Sequence, residues 1–253
     1  MSSSVLYRYF IRLSFDGTKF HGWQVQQNAN SVQGELNKAL EILFRKPIET
    51  TGCGRTDTGV HALHFFAHFE TEEITDVSDL IHKLNSILPM EIAVHSIFKV
   101  PPDYHARFSA TSRTYEYHII NYKDPFLINR AWYNLNIPEI AELNKFVDVL
   151  KEYVDFTSFS KSNTQTYTNN CRIMEAGWSL DTNGKKIFTI KADRFLRNMV
   201  RAIVGTLIMS AEKNLSEEQF RKILESKNRS EAGVSVPAHG LFLTKIEYPF
   251  PLL

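Results

Sequence analysis

Cysteine is scarce in this chain of 253 residues: the two present, Cys53 and Cys171, are too few for a disulfide framework or a cysteine-rich zinc module. Long apolar runs are missing as well. The longest uncharged stretches, 60–69 and 202–211, fall well short of the ~18 residues that a membrane-spanning helix requires. Nor is there a net charge to speak of. Lys+Arg 29 against Asp+Glu 28 leaves +1, so no global basic excess announces a polyanionic partner. Arg8 and Arg12 stand where a secretory signal would need an apolar core, so the expectation is a soluble, cytoplasmic protein. What is present is an ordinary globular composition, 43% hydrophobic and 23% charged. The length lies between one and two domains at roughly 150 residues each.

Charge is uneven along the chain. Residues 1–125 carry 12 basic and 14 acidic side chains (−2), and residues 126–253 carry 17 and 14 (+3). Between 185 and 201, Lys185, Lys186, Lys191, Arg194, Arg197 and Arg201 face only Asp193. A solvated face is one reading of such a run, and a local RNA-binding surface is the other. Hydrophobic periodicity predicts strands at 5–15, 63–70, 92–100, 113–121, 171–180, 186–192 and 241–248. Helices are predicted at 31–44 behind a Ser31 N-cap, and at 76–88, 138–151, 195–211 and 216–226. Pro101-Pro102 breaks this rhythm, which then repeats. The fold class expected is α+β: two similar halves, 1–105 and 106–253, sharing a central antiparallel sheet flanked by helices.

One segment has unusual chemistry. Residues 52–62, GCGRTDTGVHA, place three glycines around a single carboxylate, Asp57, with Arg55, Thr56 and Thr58 beside it. A Gly-rich turn whose Asp folds back on its own backbone would explain part of this pattern. Asp57-Thr58-Gly59 also matches the catalytic loop of aspartic proteases, which need a second carboxylate to share a proton. The nearest second copy, Asp181-Thr182-Asn183, has Asn where Gly is needed and falls in a predicted hairpin turn. An arginine two residues from Asp57 suits a carboxylate kept ionised. Metal binding by His61, His64 and His68 fares poorly, since on a strand the last two lie roughly 13 Å apart at ~3.3 Å per residue. These histidines are expected to be half-buried packing residues, and both cysteines likewise.

Two further elements suit a nucleotide. Strand alternation puts Arg113, Tyr115, Tyr117 and Ile119 on one face, either an aromatic core face or a stacking surface for bases. On a helix over 195–211, Arg194, Arg197 and Arg201 fall within about 60° of one another at 100° per residue, opposite the apolar side. Gly205 lies on the arginine side and leaves room for close approach. Arginines near a helix start gain nothing from the dipole, which points to anion recognition or a carboxylate clamp.

Taken together the motifs resemble the tRNA pseudouridine synthase A family over nearly the whole chain. They are FDGTKFHGWQVQ at 15–26, SVQ at 31–33, GCGRTDTGVHA at 52–62, ARFSATSRTYEY at 106–117, DFTSF at 155–159, FLRNMVRAIVGTL at 195–207 and AHGLFL at 238–243. The resemblance implies the pseudouridine synthase fold and an isomerase of uridine in the anticodon stem–loop of tRNA, at positions 38–40. It further implies a homodimer working without metal or cofactor. It implies Asp57 as catalytic nucleophile, Tyr115 stacking on the target base, and Arg201 as basic partner of the Asp57 carboxylate. Arg55, Leu241 and Leu243 would line the pocket. Phe15 stands where the family often has Tyr, and Arg197 where His is common. The rival from another class is an RNA-binding module without catalysis, for which an isolated carboxylate facing phosphate would be a hindrance.

Overall fold

Alternating apolar residues build the first strand, β1 (Tyr7–Phe15): Tyr9, Ile11, Leu13 and Phe15 are buried, while Arg8, Arg12 and Ser14 are half-buried. Phe10 is buried as well, on the arginine side, because Phe98, Tyr248 and Phe250 close around its ring. Val5, expected to extend the strand, lies outside it and is exposed. The computed structural model describes residues 5–161 and 167–252.

The chain divides into two units. Unit 1 comprises Met1–Thr111 with Leu243–Leu253, and unit 2 comprises Ser112–Phe242. In unit 1, β1 pairs antiparallel with β3 (His61–Thr71) and with β4 (Ile92–Val100). A two-residue strand, β2 (Thr51–Gly52), pairs antiparallel with β3, and the strand order is β4-β1-β3-β9. The last of these, β9 (Leu241–Glu247), begins in unit 2 and ends in unit 1. Helix α1 (Val32–Phe44) starts at Ser31, whose hydroxyl accepts from the Gly34 amide, and buries Val32, Leu36, Ala39 and Leu40. Helix α2 (Val77–Ile87) is capped by Asp76, buries Leu80 and Leu84, and packs on β4 and against α1.

In unit 2, β5 (Ser112–Ile120), β8 (Lys186–Ala192) and β7 (Ile173–Leu180) form an antiparallel ladder in that order. A short β6 (Trp132–Tyr133) pairs parallel with β5, so the sheet is mixed rather than antiparallel throughout. The expected helix at 138–151 is broken into α3 (Ile140–Asn144) and α4 (Val147–Leu150). Tertiary contacts outweigh local helix propensity there: the Asn144 amide pairs with both backbone groups of Trp178, and Phe146 turns inward onto Phe220. Helix α5 (Met199–Glu212) is buried on nearly every side, and α6 (Glu217–Glu225) opens with a complete Ser216–Gln219 capping box. Both units are therefore α+β. Among the described residues, no helix is long and apolar enough to cross a membrane.

Candidate active site

The 52–62 motif folds as the end of β2, a turn, and the start of β3. Its backbone is locked from several directions. The Cys53 amide donates to the Phe66 carbonyl at 2.8 Å, the Gly59 amide to the Phe20 carbonyl at 3.3 Å, and the Val60 amide to the Asp57 carbonyl at 3.2 Å. The Trp23 amide donates to Thr56 Oγ1 at 3.0 Å. The segment after β1 is thus a brace for the loop, a role that its sequence alone did not reveal. Gly22 is the position that makes the brace possible: φ is +89°, and a Cβ there would lie 2.2 Å from the Thr56 carbonyl oxygen. By contrast, a Cβ on Gly54 would meet nothing within 4 Å, so the second glycine of the motif is not demanded by the fold.

Within this turn Asp57 is half-buried, whereas Arg55 and Thr58 are exposed. At the base of the turn His61 is buried; its Nδ1 accepts from the Gly17 amide at 3.1 Å and lies 3.2 Å from Asp16 Oδ1. His68 is buried rather than half-buried, and its Nδ1 accepts from the Ala106 amide at 3.1 Å. Burial, reinforced by the neighbouring His105, pushes its pKa down to about 4. His64 is exposed. Among the described residues no group of three His, Cys, Asp or Glu side chains could hold a metal ion. Burial drives the Cys171 thiol up to about 12, which suits packing rather than nucleophilic work. Asp181, the would-be second protease carboxylate, is consumed by its own hairpin, its Oδ1 accepting from the Asn183 and Lys185 amides at 2.9 and 2.8 Å.

In unit 2 the aromatic strand face is split. Tyr117 and Ile119 are core residues, and the Tyr117 hydroxyl donates to the Pro237 carbonyl at 2.7 Å. Burial raises its pKa well above the usual phenol range. Tyr115, two residues back on the same face, is half-buried and meets the edge of Phe195, with centroids 5.2 Å apart and rings nearly perpendicular. Arg113 donates from Nη1 to the Asp193 carbonyl at 2.7 Å. Arg201 lies on α5, and its Nε donates to the Val236 carbonyl at 2.7 Å while the Val236 amide donates to the Arg201 carbonyl at 3.2 Å. Leu241, in unit 2, and Leu243, in unit 1, are both buried.

The expected stripe of three arginines on one helix does not form. Asn198 takes a left-handed conformation, φ 67°, donates from its side chain to Ser235 Oγ at 2.6 Å, and delays the helix to Met199. Arg194 and Arg197 therefore precede α5, and only Arg201 projects from it. The space beside Gly205 is filled by the chain itself, since a Cβ there would sit 1.8 Å from the Val234 carbonyl oxygen. The lysines of the basic run are also less available than their number implies. Lys185 lies 3.6 Å from Asp181, Lys191 3.5 Å from Glu175, and buried Lys186 3.9 Å from Glu139.

A family model described as tRNA pseudouridine synthase matches residues 13–109 and 153–249. The tRNA pseudouridine synthase A of Bacteroides fragilis is 50% identical over 245 residues, which cover 96% of each chain. That of Parabacteroides distasonis is 49% identical over 243 residues, again 96% of each. That of Treponema denticola is 42% identical over 254 residues, covering 96% of this chain and 93% of the relative. The matched segments contain the braced Asp57 turn and helix α5. The chain belongs to the tRNA pseudouridine synthase family and carries that family's isomerase activity.

Proposed function

We propose that Asp57 is the nucleophile of this isomerase, acting at the ribose C1′ of uridines 38–40 in the anticodon stem–loop of tRNA. An Asp57 carboxylate oxygen bonds to C1′ as the N1–C1′ bond breaks, the detached uracil rotates, and C5 then attacks C1′ and displaces the carboxylate, so that a C5–C1′ bond replaces the N1–C1′ bond. The proton on C5 leaves to solvent and N1 takes one up, so the product is an isomer of the substrate. Such a carboxylate must be ionised, fixed in place and shielded from bulk water. In this reading the Arg201 guanidinium keeps it charged, and Tyr115 stacks on the uracil so that the free base is not lost. Arg55, Leu241 and Leu243 line the pocket. The target base leaves its stack at a cost of a few kcal/mol, offset by phosphate contacts and aromatic stacking.

The observation that carries this reading is the Asp57 turn, which is fixed by its own Cys53 and Gly59 amides and by the Trp23 amide donating to the Thr56 hydroxyl, while its one carboxylate is half-buried. Tyr115, held edge-on by Phe195, and Arg201, tied at Nε to Val236, are ordered in the same manner. The reading extends to one pseudouridine synthase fold in which the halves 1–105 and 106–253 share a central sheet, and to a cytoplasmic homodimer, as the family resemblance implies. The decisive experiment is tritium release from C5-labelled tRNA. Asp57→Ala is expected to abolish release while retaining tRNA binding, and turnover equal to the parent protein would refute the assignment.

A further inference from the structure

A second feature of unit 1 is built with as much care as the Asp57 turn, and nothing in the chemistry above uses it. Phe108 is 76% exposed, an unusual setting for a phenylalanine in an ordered segment. The turn that presents it is bonded at almost every backbone group. The Arg107 and Phe108 amides both donate to His105 Nδ1, at 3.1 and 3.2 Å. The His105 amide donates to Ser109 Oγ at 2.9 Å, and the Ser109 amide to the His105 carbonyl at 3.0 Å. Beneath them Ala106 is fully buried, its amide donating to His68 Nδ1 and its carbonyl accepting from the Tyr248 hydroxyl at 2.7 Å. Arg8 Nη1 donates to the Tyr104 carbonyl at 3.0 Å, and Tyr104 stacks on Phe250 with centroids 3.8 Å apart.

The aromatic side chains are ordered too. The Phe108 ring lies against the His105 imidazole, 4.4 Å between centroids, and His105 in turn meets the buried His68 ring edge-on at 4.6 Å. The Arg107 guanidinium carbon stands 5.5 Å from the Phe108 centroid. A phenylalanine left in water at the tip of a rigid turn, backed by one ring and flanked by a guanidinium, has the composition of a base-stacking platform: an aromatic face for a nucleobase and a cation for the neighbouring phosphate. One phenylalanine ring is by itself too small an area for a protein interface, which needs roughly 800 Å² on each partner.

We propose that Phe108 stacks on an unpaired nucleobase of the tRNA substrate, with Arg107 taking the adjacent phosphate, as an RNA-positioning element outside the Asp57 turn. This rests on the reading of tRNA as substrate, but it predicts a different signature from loss of the nucleophile. Because Phe108 is exposed, Phe108→Ala should leave the thermal midpoint unchanged. In the tritium-release assay it should raise KM on the order of ten- to a hundredfold, the size of a lost base–aromatic stack, with kcat within about twofold of the parent protein. Phe108→Trp should restore KM and Phe108→Leu should not, since leucine keeps the apolar area and lacks the π face. Direct tRNA binding to each variant, followed without turnover, should move in parallel with KM. That binding measurement separates the two claims: a parent protein that binds tRNA through Phe108 without forming pseudouridine would refute the catalytic reading alone. Unchanged KM and tRNA affinity in Phe108→Ala would overturn the platform. So would equal rescue by Leu and Trp, or a change in oligomeric state on sedimentation, which would make the residue an interface contact.

Discussion

Single side chains in this protein are placed by their backbone partners as much as by their charge. Arg201 and Lys185 belong to the same basic run in the sequence, yet their settings diverge. Arg201 has its guanidinium plane fixed by the Nε bond to the Val236 carbonyl, whereas Lys185 sits beside Asp181 at 3.6 Å in a hairpin turn. If Arg201 keeps the Asp57 carboxylate charged, as proposed, Arg201→Ala removes a charge-assisted contact and should cost about ten- to a hundredfold in turnover. Lys185→Ala, losing a surface pair, should stay within about threefold of the parent. Equal losses in the tritium-release assay would reduce Arg201 to one more phosphate contact. The candidate carboxylate itself was legible in the sequence, because a Gly-rich run holding one Asp and one Arg is a rare pattern. Its brace was not, because the Trp23–Thr56 bond joins residues far apart in the chain, and periodicity reports only near neighbours.

Elements read well where their boundaries are set by local chemistry and poorly where tertiary contacts intervene. The strands at 92–100 and 186–192 begin and end where alternation says they should, and α1 starts at its Ser31 cap. The two-residue strands β2 and β6 are too short to leave any periodic signal. Helix α5 shows the other failure, because its apolar spacing runs back into residues that fold as a turn once Asn198 bonds Ser235. That same helix yields a prediction whose sign is opposite to propensity. Replacing a glycine inside a helix by alanine ordinarily gains about 1 kcal/mol. At Gly205 the new methyl group would meet the Val234 carbonyl oxygen at 1.8 Å, and backbone on both sides must shift. Gly205→Ala should therefore destabilise by roughly 1–3 kcal/mol, as overpacking does. Gly54→Ala, with nothing within 4 Å, should leave the denaturation midpoint unchanged. A stabilised Gly205→Ala would mean that the 233–236 segment is not seated on α5 as described.

The whole molecule should respond to acid unevenly, because the shifted groups of its two units titrate in different pH ranges. In unit 1, His64, His68, His95 and His105 are all pushed below the ordinary imidazole value, with lost hydration the largest cause for each, nearly complete for buried His68 and partial for the other three. Arg12 adds to the effect at His64 and His95, and Arg8 at His68 and His105, while Glu70 opposes it at His68. In unit 2 the shifted carboxyls lie low: Glu116 through its hydrogen bond with His118, and Asp155 through the Thr157 hydroxyl. An imidazole that binds protons less readily folded than unfolded contributes stability above its unfolded value of ~6.5 and loses it as pH falls toward the folded value, about 4 for His68. A carboxylate with a lowered folded pKa keeps its contribution until the pH drops below roughly 4.5. Between pH 6.5 and 5, then, unit 1 should weaken while unit 2 holds. Hydrogen exchange across that range should show β1, β3 and β4 losing protection before β7 and β8. His68→Asn, which keeps an acceptor for the Ala106 amide but cannot titrate, should flatten the dependence in unit 1. Loss of protection in both units together, or in unit 2 first, would show that these imidazoles do not control the acid response.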